Sequence, residues 1–310
     1  MIAILMAAYN GERYIAEQIE SILNQTETGW KLTVRDDCSR DATLSVIRRY
    51  GEKHPEKIGI LEAEKNSGSA ENNFFRLMEG ADGDYVMFSD DDDVWLPEKI
   101  QTTFLKMKEL ERNFGADAPL LVHTDLKVAD ENLRVISPSL FRMQNLKGNR
   151  DRLANLLSQN IVTGCTVMAN RALIRTALRA GIPEHAVMHD WWLALVAAGF
   201  GGIGFVDAPT ILYRQHGNNE VGAKNSGDLR YNLRRFFDPA QVRSALDGTY
   251  GQAREFYVKY GKKLKENDRA VLEAYCSIPE KSKWGRLAAI GKYGFWKTGF
   301  YRKLGQIWFS

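Results

Sequence analysis

Before Asp90 the chain runs three times through the same unit: a short apolar stretch, a polar turn, then apolar residues at helical spacing. Ile2 to Ala8 leads to Asn10, a candidate helix cap, and to Ile15, Ile19, Ile22 and Leu23 on one helical face. Leu32 to Val34 leads through Arg35, Asp36, Asp37, Cys38 and Ser39 to Asp41, a second candidate cap, and then to Leu44, Val46 and Ile47. Ile58 to Leu61 leads through Asn66, Ser67, Gly68 and Ser69 to a helical stretch, Ala70 to Met78, and Tyr85 to Phe88 supplies a fourth strand. Strands separated by helices return to the same end of a sheet each time. The pattern therefore predicts an α/β fold around a mostly parallel, doubly wound sheet.

The fourth strand stops in four consecutive aspartates, Asp90 to Asp93, and Val94, Trp95 and Leu96 follow at once. Four carboxylates cannot share a small volume in the ionised state without a compensating cation. Placed at the C-terminal edge of a sheet, they offer hard oxygen ligands where open α/β folds bind their ligands. The alternative is a solvated acidic loop.

Beyond Pro97, which suits the first turn of a helix running to about Asn113, the alternation breaks. Leu120 to Val128, Arg134 to Ile136 and Val162 to Ala169 are candidate strands, and Ala172 to Leu178 and Trp191 to Ala198 candidate helices. Ile203 to Val206 and Ile211 to Arg214 follow as strands, and the glycine- and asparagine-rich stretch His216 to Gly227 is expected to be a mobile loop. From Asp228 on, the pattern is helical, broken at Pro239 and Pro279. This divides the chain into a catalytic-type domain, 1–227, and a basic, aromatic-rich helical region, 228–310.

The net charge of +3 hides a strong asymmetry. From Val221 onward 18 Lys and Arg face 8 Asp and Glu, whereas the preceding part carries 24 against 31. Three cysteines at wide spacing, Cys38, Cys165 and Cys276, give neither a disulfide framework nor a zinc motif, which fits a reducing compartment. No apolar run is long enough to span a bilayer, and the N-terminus lacks the form of a signal peptide, so a cytoplasmic location is expected.

The first turn, Ala8-Tyr9-Asn10-Gly11-Glu12, has the strand-to-helix setting in which backbone N–H groups can receive an anion, or it is a plain capped helix start. There is no GxGxxG fingerprint and no P-loop, which argues against dinucleotide chemistry and P-loop phosphoryl transfer. Asp36 and Asp37 also follow a strand directly, where a carboxylate can accept hydrogen bonds from a base or a ribose.

Four blocks now carry a resemblance: AAYNGERYIAEQIESILNQT (7–26), VRDDCSRDAT (34–43), NSGSAENNF (66–74) and GDYVMFSDDDDVWLPEKI (83–100). In order and spacing they resemble family 2 glycosyltransferases of the GT-A fold, from Ile2 to about Gly222. The resemblance implies an inverting enzyme with a nucleotide-diphosphate sugar donor and a Mg²⁺ or Mn²⁺ cofactor. Two later blocks, MHDWWLALVA (188–197) and YRQHGNN (213–219), resemble the members that build bacterial surface polysaccharides, rhamnosyltransferases included. Their expected donor is dTDP-L-rhamnose; a UDP-sugar serving a hexosyl or N-acetylhexosaminyl transferase is the alternative.

Carried onto matching positions, the resemblance implies that Ala8, Tyr9 and Glu12 line the nucleotide pocket and that Asp37 meets the base, with Asn66 nearby. Asp90 would face the ribose and Asp92 would hold the metal, with Asp91 and Asp93 in support. Asp190 matches the catalytic base. His216 is a candidate for the metal shell, Arg214 for the diphosphate, and Trp191 and Trp192 for the acceptor sugar, one of the two facing inward. His189 stands where many members have an acidic residue. Cys38 replaces a common glycine, so its turn is expected to avoid the left-handed conformation.

The C-terminal region interleaves Trp284, Tyr293, Phe295, Trp296, Phe300, Tyr301, Trp308 and Phe309 with Lys and Arg, the composition of an interfacial membrane helix. Packing on the catalytic domain or on a second copy in a homodimer is the alternative. Nucleic acid is excluded by the acidic body and the absence of a binding module. Docking on the inner membrane face would suit a lipid-linked oligosaccharide acceptor. A non-catalytic glycan-binding scaffold on the same fold is the rival class, which the intact aspartate set opposes.

Overall fold

The structure, a computed structural model, describes residues 1–217 and 239–309. Its sheet has nine strands: β1 (Ile2–Ala8), β2 (Trp30–Asp36), β3 (Ile58–Glu62), β4 (Tyr85–Ser89), β5 (Val94–Trp95), β6 (Leu120–Ala129), β7 (Val135–Ser137), β8 (Met168–Asn170) and β9 (Gly202–Arg214). They lie in the order β3-β2-β1-β4-β8-β6-β9-β5, with β7 added beside β6. β3, β2, β1 and β4 are parallel, and β8 is inserted antiparallel between β4 and β6. The chain winds from β1 outward through β2 and β3, then returns to place β4 on the other flank of β1. That reversal is the point at which a doubly wound sheet opens a crevice beyond its strand ends.

The continuous apolar runs follow from burial on both faces. In β1, Ile4 and Met6 join one core with Ile15, Ile19 and Ile47, whereas Ala3 and Leu5 join the other with Phe74, Phe88 and Trp192. Helices α1 (Ile15–Leu23), α2 (Thr43–Lys53) and α4 (Lys99–Phe114) supply apolar faces to the first core. The second core draws on α3 (Ala70–Glu79), α6 (Leu153–Ser158), α7 (Arg171–Leu178) and α8 (His189–Phe200), while α5 (Leu140–Gln144) packs beside β6. α8 is apolar nearly all round and is accordingly buried nearly all round.

Four further helices follow: α9 (Pro239–Tyr260), α10 (Glu266–Cys276), α11 (Lys283–Tyr293) and α12 (Phe300–Phe309). Phe256, Tyr260, Leu272, Tyr275 and Phe295 are buried in the same core as Trp192 and Leu156, so α9 to α11 extend the second core. The expected boundary at 227/228 lies outside the described residues, as does the expected loop beyond Gly217. Among the described residues no helix is long and apolar enough to cross a membrane.

Three expectations change. The strands anticipated at 203–206 and 211–214 are one strand, β9, which carries Pro209 where its register against β6 shifts around Asp125. The strand anticipated over Val162 to Ala169 is a 3-10 turn, Gly164–Thr166, followed by the short β8. Cys38 does adopt the left-handed conformation, φ 64°, where its thiol donates to the Ala63 carbonyl at 3.2 Å.

Candidate active site

The first two turns are sewn to one another. Asn10, at φ 53°, caps no helix; its Oδ1 accepts from the Arg40 N–H at 2.8 Å. The backbone N–H groups of Tyr9, Asn10, Gly11 and Glu12 donate to Asp91 Oδ2, Ser39 Oγ, Thr43 Oγ1 and Asp41 Oδ2, all within 3.1 Å. These donors, expected to await an anion, are thus engaged inside the protein. Glu12 is corrected in the same way: its carboxylate accepts from the Ala42 N–H at 2.7 Å and holds the start of α2. Ala8 is buried, and its carbonyl accepts from the Asp37 N–H. Tyr9 is 48% exposed, its ring on the wall of the crevice.

Asp37 is buried and richly served. Its oxygens accept from Arg35 Nη1 at 2.8 Å, from the Ser67 N–H at 2.9 and 3.0 Å, and from Ser67 Oγ at 2.7 Å. Asn66 donates to the Asp37 carbonyl at 2.7 Å and accepts from the Gly68 N–H, closing the turn on which Ser67 sits.

The four aspartates are placed differently. Asp91 Oδ2 takes the Tyr9 N–H at 3.0 Å across the β1–β4 crevice, and a Cβ at Gly11 would strike that same oxygen at 2.4 Å, so glycine is required there. Burial, with the Asp92 charge beside it, pushes the Asp91 carboxyl up to about 8. Asp92 is raised by burial, an effect opposed by His216, whose Nε2 lies 2.8 Å from Asp92 Oδ2. Asp93 is fully buried and raised well above the carboxylate range, first by burial and then by the charges of Asp92 and Asp90. Its Oδ1 accepts from the Arg214 N–H at 3.0 Å; its Oδ2 has no hydrogen-bond partner.

Beneath the turn lies Lys99, fully buried, with Nζ 4.6 Å from the Trp95 ring centroid and no hydrogen-bond partner. Desolvation lowers it to about 8.

Arg214 is corrected from a diphosphate ligand to a clamp. Its guanidinium is 2% exposed and donates from Nε to the Asp92 carbonyl at 2.7 Å, from Nη1 to the Glu131 carbonyl at 2.7 Å, and from Nη2 to Glu17 at 2.5 Å. It also lies 4.4 Å from the centroid of the Tyr14 ring, whose centroid is 5.0 Å from that of His216 with the two rings tilted by 35°. Tyr9, Arg13, Tyr14, Asp91, Asp92, Glu131 and His216 line a pocket of about 220 Å³. Tyr14, Arg13 and Glu131 were not anticipated. Only Tyr14, an aromatic immediately before a helix, left a trace in the sequence.

Asp190 sits in the first turn of α8, almost fully buried. Asn160 Nδ2 donates to its Oδ1 at 3.1 Å, and the Trp191 and Gly164 N–H groups hold the carboxylate as well. Desolvation outweighs these donors and lifts Asp190 to about 7, the range in which a base can be ionised and still take a proton. His189 packs between Phe74, 4.0 Å away, and Phe88, 5.0 Å away; both ring nitrogens lack partners, and burial lowers it to about 3. It is a neutral aromatic filler. Of the pair, Trp192 is the one that faces inward: it is fully buried, edge-on to Phe256 at 5.6 Å, which leaves Trp191 alone as the acceptor candidate. Trp191 is partly buried, and its indole N–H donates to the Leu156 carbonyl at 2.6 Å.

One turn joins the two acidic ends. Gly164 touches Asp190, while Cys165 Sγ lies with ligand oxygens of Asp90 and Asp93 inside a 4.8 Å cluster. Burial holds the Cys165 thiol well above its usual range, so it stays protonated, a poor ligand for a hard cation. Asp92 and His216, a hard oxygen and an imidazole facing the pocket, suit Mg²⁺ or Mn²⁺ better.

A sheet that reverses at β1/β4, with an acidic strand end in the crevice and the buried Asp190 carboxyl joined to it through one turn, is the architecture of the GT-A fold. The chain belongs to glycosyl transferase family 2, whose model matches residues 3–176. It is 30% identical to a dTDP-rhamnosyl transferase, RfbG of Shigella flexneri, over 73% of this chain and 76% of that protein. It is 29% identical to a teichuronic acid biosynthesis glycosyltransferase assigned to Bacillus subtilis, TuaG, over 66% of this chain and 75% of that one. In three dimensions it is similar to S. aureus TarS solved with UDP-GlcNAc, TM-score 0.57, 15% identical, covering 99% of this chain and 88% of the other. A Pyrobaculum calidifontis mannosyltransferase solved with GDP-Man and Mn²⁺ gives TM-score 0.54 at 15% identity, covering 98% and 77%. The protein is thus a glycosyltransferase that uses a nucleotide sugar.

Proposed function

We propose that the protein is an inverting, metal-assisted transferase that adds L-rhamnose from dTDP-L-rhamnose to a growing, lipid-linked bacterial surface polysaccharide. The observation that carries the reaction class is the Gly164–Thr166 turn, which brings Asp190 beside the aspartates that end β4. The donor assignment rests on the likeness to the Shigella enzyme. The second reading, a UDP-sugar donor, is favoured by a stretch 34% identical to the poly(ribitol-phosphate) N-acetylglucosaminyltransferase TarS over 47% of this chain.

Asp190 takes the proton of the acceptor hydroxyl while that oxygen attacks the anomeric carbon opposite the departing diphosphate. One displacement follows, so the configuration inverts. Asn160 and the Gly164 N–H aim the carboxylate, and its burial keeps it basic enough to accept the proton. Asp92 and His216 would hold a Mg²⁺ or Mn²⁺ ion, with Asp91 in support, and the ion would supply positive charge to the leaving diphosphate. Tyr9 offers a face to the base, Asp37 and Asn66 shape the pocket beneath it, and Asp90 meets the ribose. Trp191 borders the acceptor side.

Thermal stabilisation by a panel of nucleotide sugars, with and without Mn²⁺, tests the donor, since a ligand of the native state raises apparent stability. dTDP-L-rhamnose should give the largest shift. A larger shift from a UDP-sugar selects the second reading. Absence of metal-dependent donor turnover in folded protein would leave a glycan-binding scaffold.

A further inference from the structure

Helix α12 is amphipathic with the wrong face outward. The residue it buries is Gln306, whose Oε1 accepts from the Lys297 N–H at 3.0 Å and whose Nε2 donates to the Phe295 carbonyl at 2.7 Å. Its apolar stripe, Phe300, Leu304, Ile307 and Trp308 at helical spacing, is exposed, with Phe300 at 70% and Trp308 at 65%. Trp284 of α11 is 79% exposed, and Lys283 Nζ of the same helix stands 5.8 Å from the Trp308 ring. The two helices thus present one surface.

Its charge identifies the occupant. Residues 281–310 contain seven Lys and Arg and no Asp or Glu. A second copy would bring the same sign to the contact, whereas an anionic bilayer brings the opposite sign and an apolar interior for the aromatic stripe. We propose that the exposed stripe of α12, with Trp284, is a membrane-docking face for anionic phospholipid.

The face is tied to the proposed base. Thr298, just before α12, donates from its N–H to Gln159 Oε1 at 2.7 Å and accepts from Gln159 Nε2 at 3.0 Å. The next residue, Asn160, holds Asp190. Docking by α12 would thus tether to the bilayer the segment that holds Asp190, near the surface where a lipid-linked acceptor would be carried. This last step rests on the glycosyl-transfer reading; the docking itself does not.

Co-sedimentation of the full chain with phosphatidylcholine vesicles, with and without phosphatidylglycerol, tests it. Wild type should partition at least tenfold better onto the anionic vesicles. The double variant Leu304→Glu, Ile307→Glu changes only exposed positions and should lose that partition while keeping its thermal midpoint and donor turnover. Equal partition of wild type and variant, or no vesicle binding by folded wild type, overturns the proposal. So does a wild-type dimer in sedimentation velocity that the double variant converts to monomer, which would make the stripe a self-association face. Loss of donor turnover by wild type with vesicle binding intact would sink the enzymatic reading alone.

Discussion

Two acidic turns close the strands on either side of β1, yet they are built to opposite standards. After β2, Asp37 collects an arginine, a backbone N–H and a hydroxyl, so its charge is balanced within the protein. After β4, Asp91, Asp92 and Asp93 all have their carboxyls pushed up by burial, and one Asp93 oxygen has no partner. The first turn is finished as it stands. The second keeps its carboxyls buried, and on the proposed mechanism it is there that a cation would bind, so carboxylates of one residue type would divide into framework and ligand by their surroundings.

Four outcomes test the division. Asp190→Ala or Asp92→Ala should each lower turnover by about 10²–10⁴, the range for losing a positioned base or a cation site, with little change in thermal midpoint. Steady-state rates on the folded variants measure this, and a loss under tenfold would move either residue to the framework class.

Asp37→Asn should act through stability instead, by about 2–3 kcal/mol, since it removes the carboxylate partner of the partly buried Arg35, which keeps its bond to Asn73. Urea unfolding reads it. An unchanged midpoint would show that Asp37 too is poised rather than finished.

Asp190 gives a pH signature. Its folded value, about 7, lies above the ordinary 3.8, so the folded state binds the proton more tightly than the unfolded chain. Its contribution is fully favourable below pH 4 and is lost as pH rises toward 7. Asp190→Asn should therefore be more stable than wild type above pH 7, by about 2–4 kcal/mol, and the gain should vanish near pH 4. Activity of the wild type should rise with pH through about 7.

The smallest effect belongs to the first turn. Cys38→Gly relieves a left-handed residue at the loss of one weak thiol hydrogen bond, and should raise stability by at most about 1 kcal/mol with turnover unchanged.

Much of this was legible in the sequence, for identifiable reasons. β1 and β4 are short apolar runs buried along nearly their whole length, and β2 buries alternate residues; both patterns are visible without knowing their partners. The aspartates and Asp190 were found because they stand at strand and helix ends within recognisable blocks. What stayed hidden depends on contacts between distant segments. Nothing near Asn160 announces that it holds a carboxylate thirty positions on. Arg214 looks the same in sequence whether it meets phosphate or clamps Glu17, Glu131 and Asp92. The N–H groups of the Ala8–Glu12 turn left two readings open because their acceptors, Ser39, Thr43 and Asp41, sit on the turn after β2. Trp191 and Trp192 are adjacent letters, and only the packing of α9 decides which of them enters the core.

The turn at Gly164 has a consequence for how such a chain can diversify. A Cβ there would fall 2.8 Å from His189 and 3.5 Å from Asp190, while the neighbouring Cys165 lies among the aspartates that end β4. A substitution at this turn disturbs both sides of the reaction together. On the proposed mechanism, changes of donor or acceptor that leave this pin intact would have to fall elsewhere, at Tyr9 and the walls of the pocket or beyond Trp191.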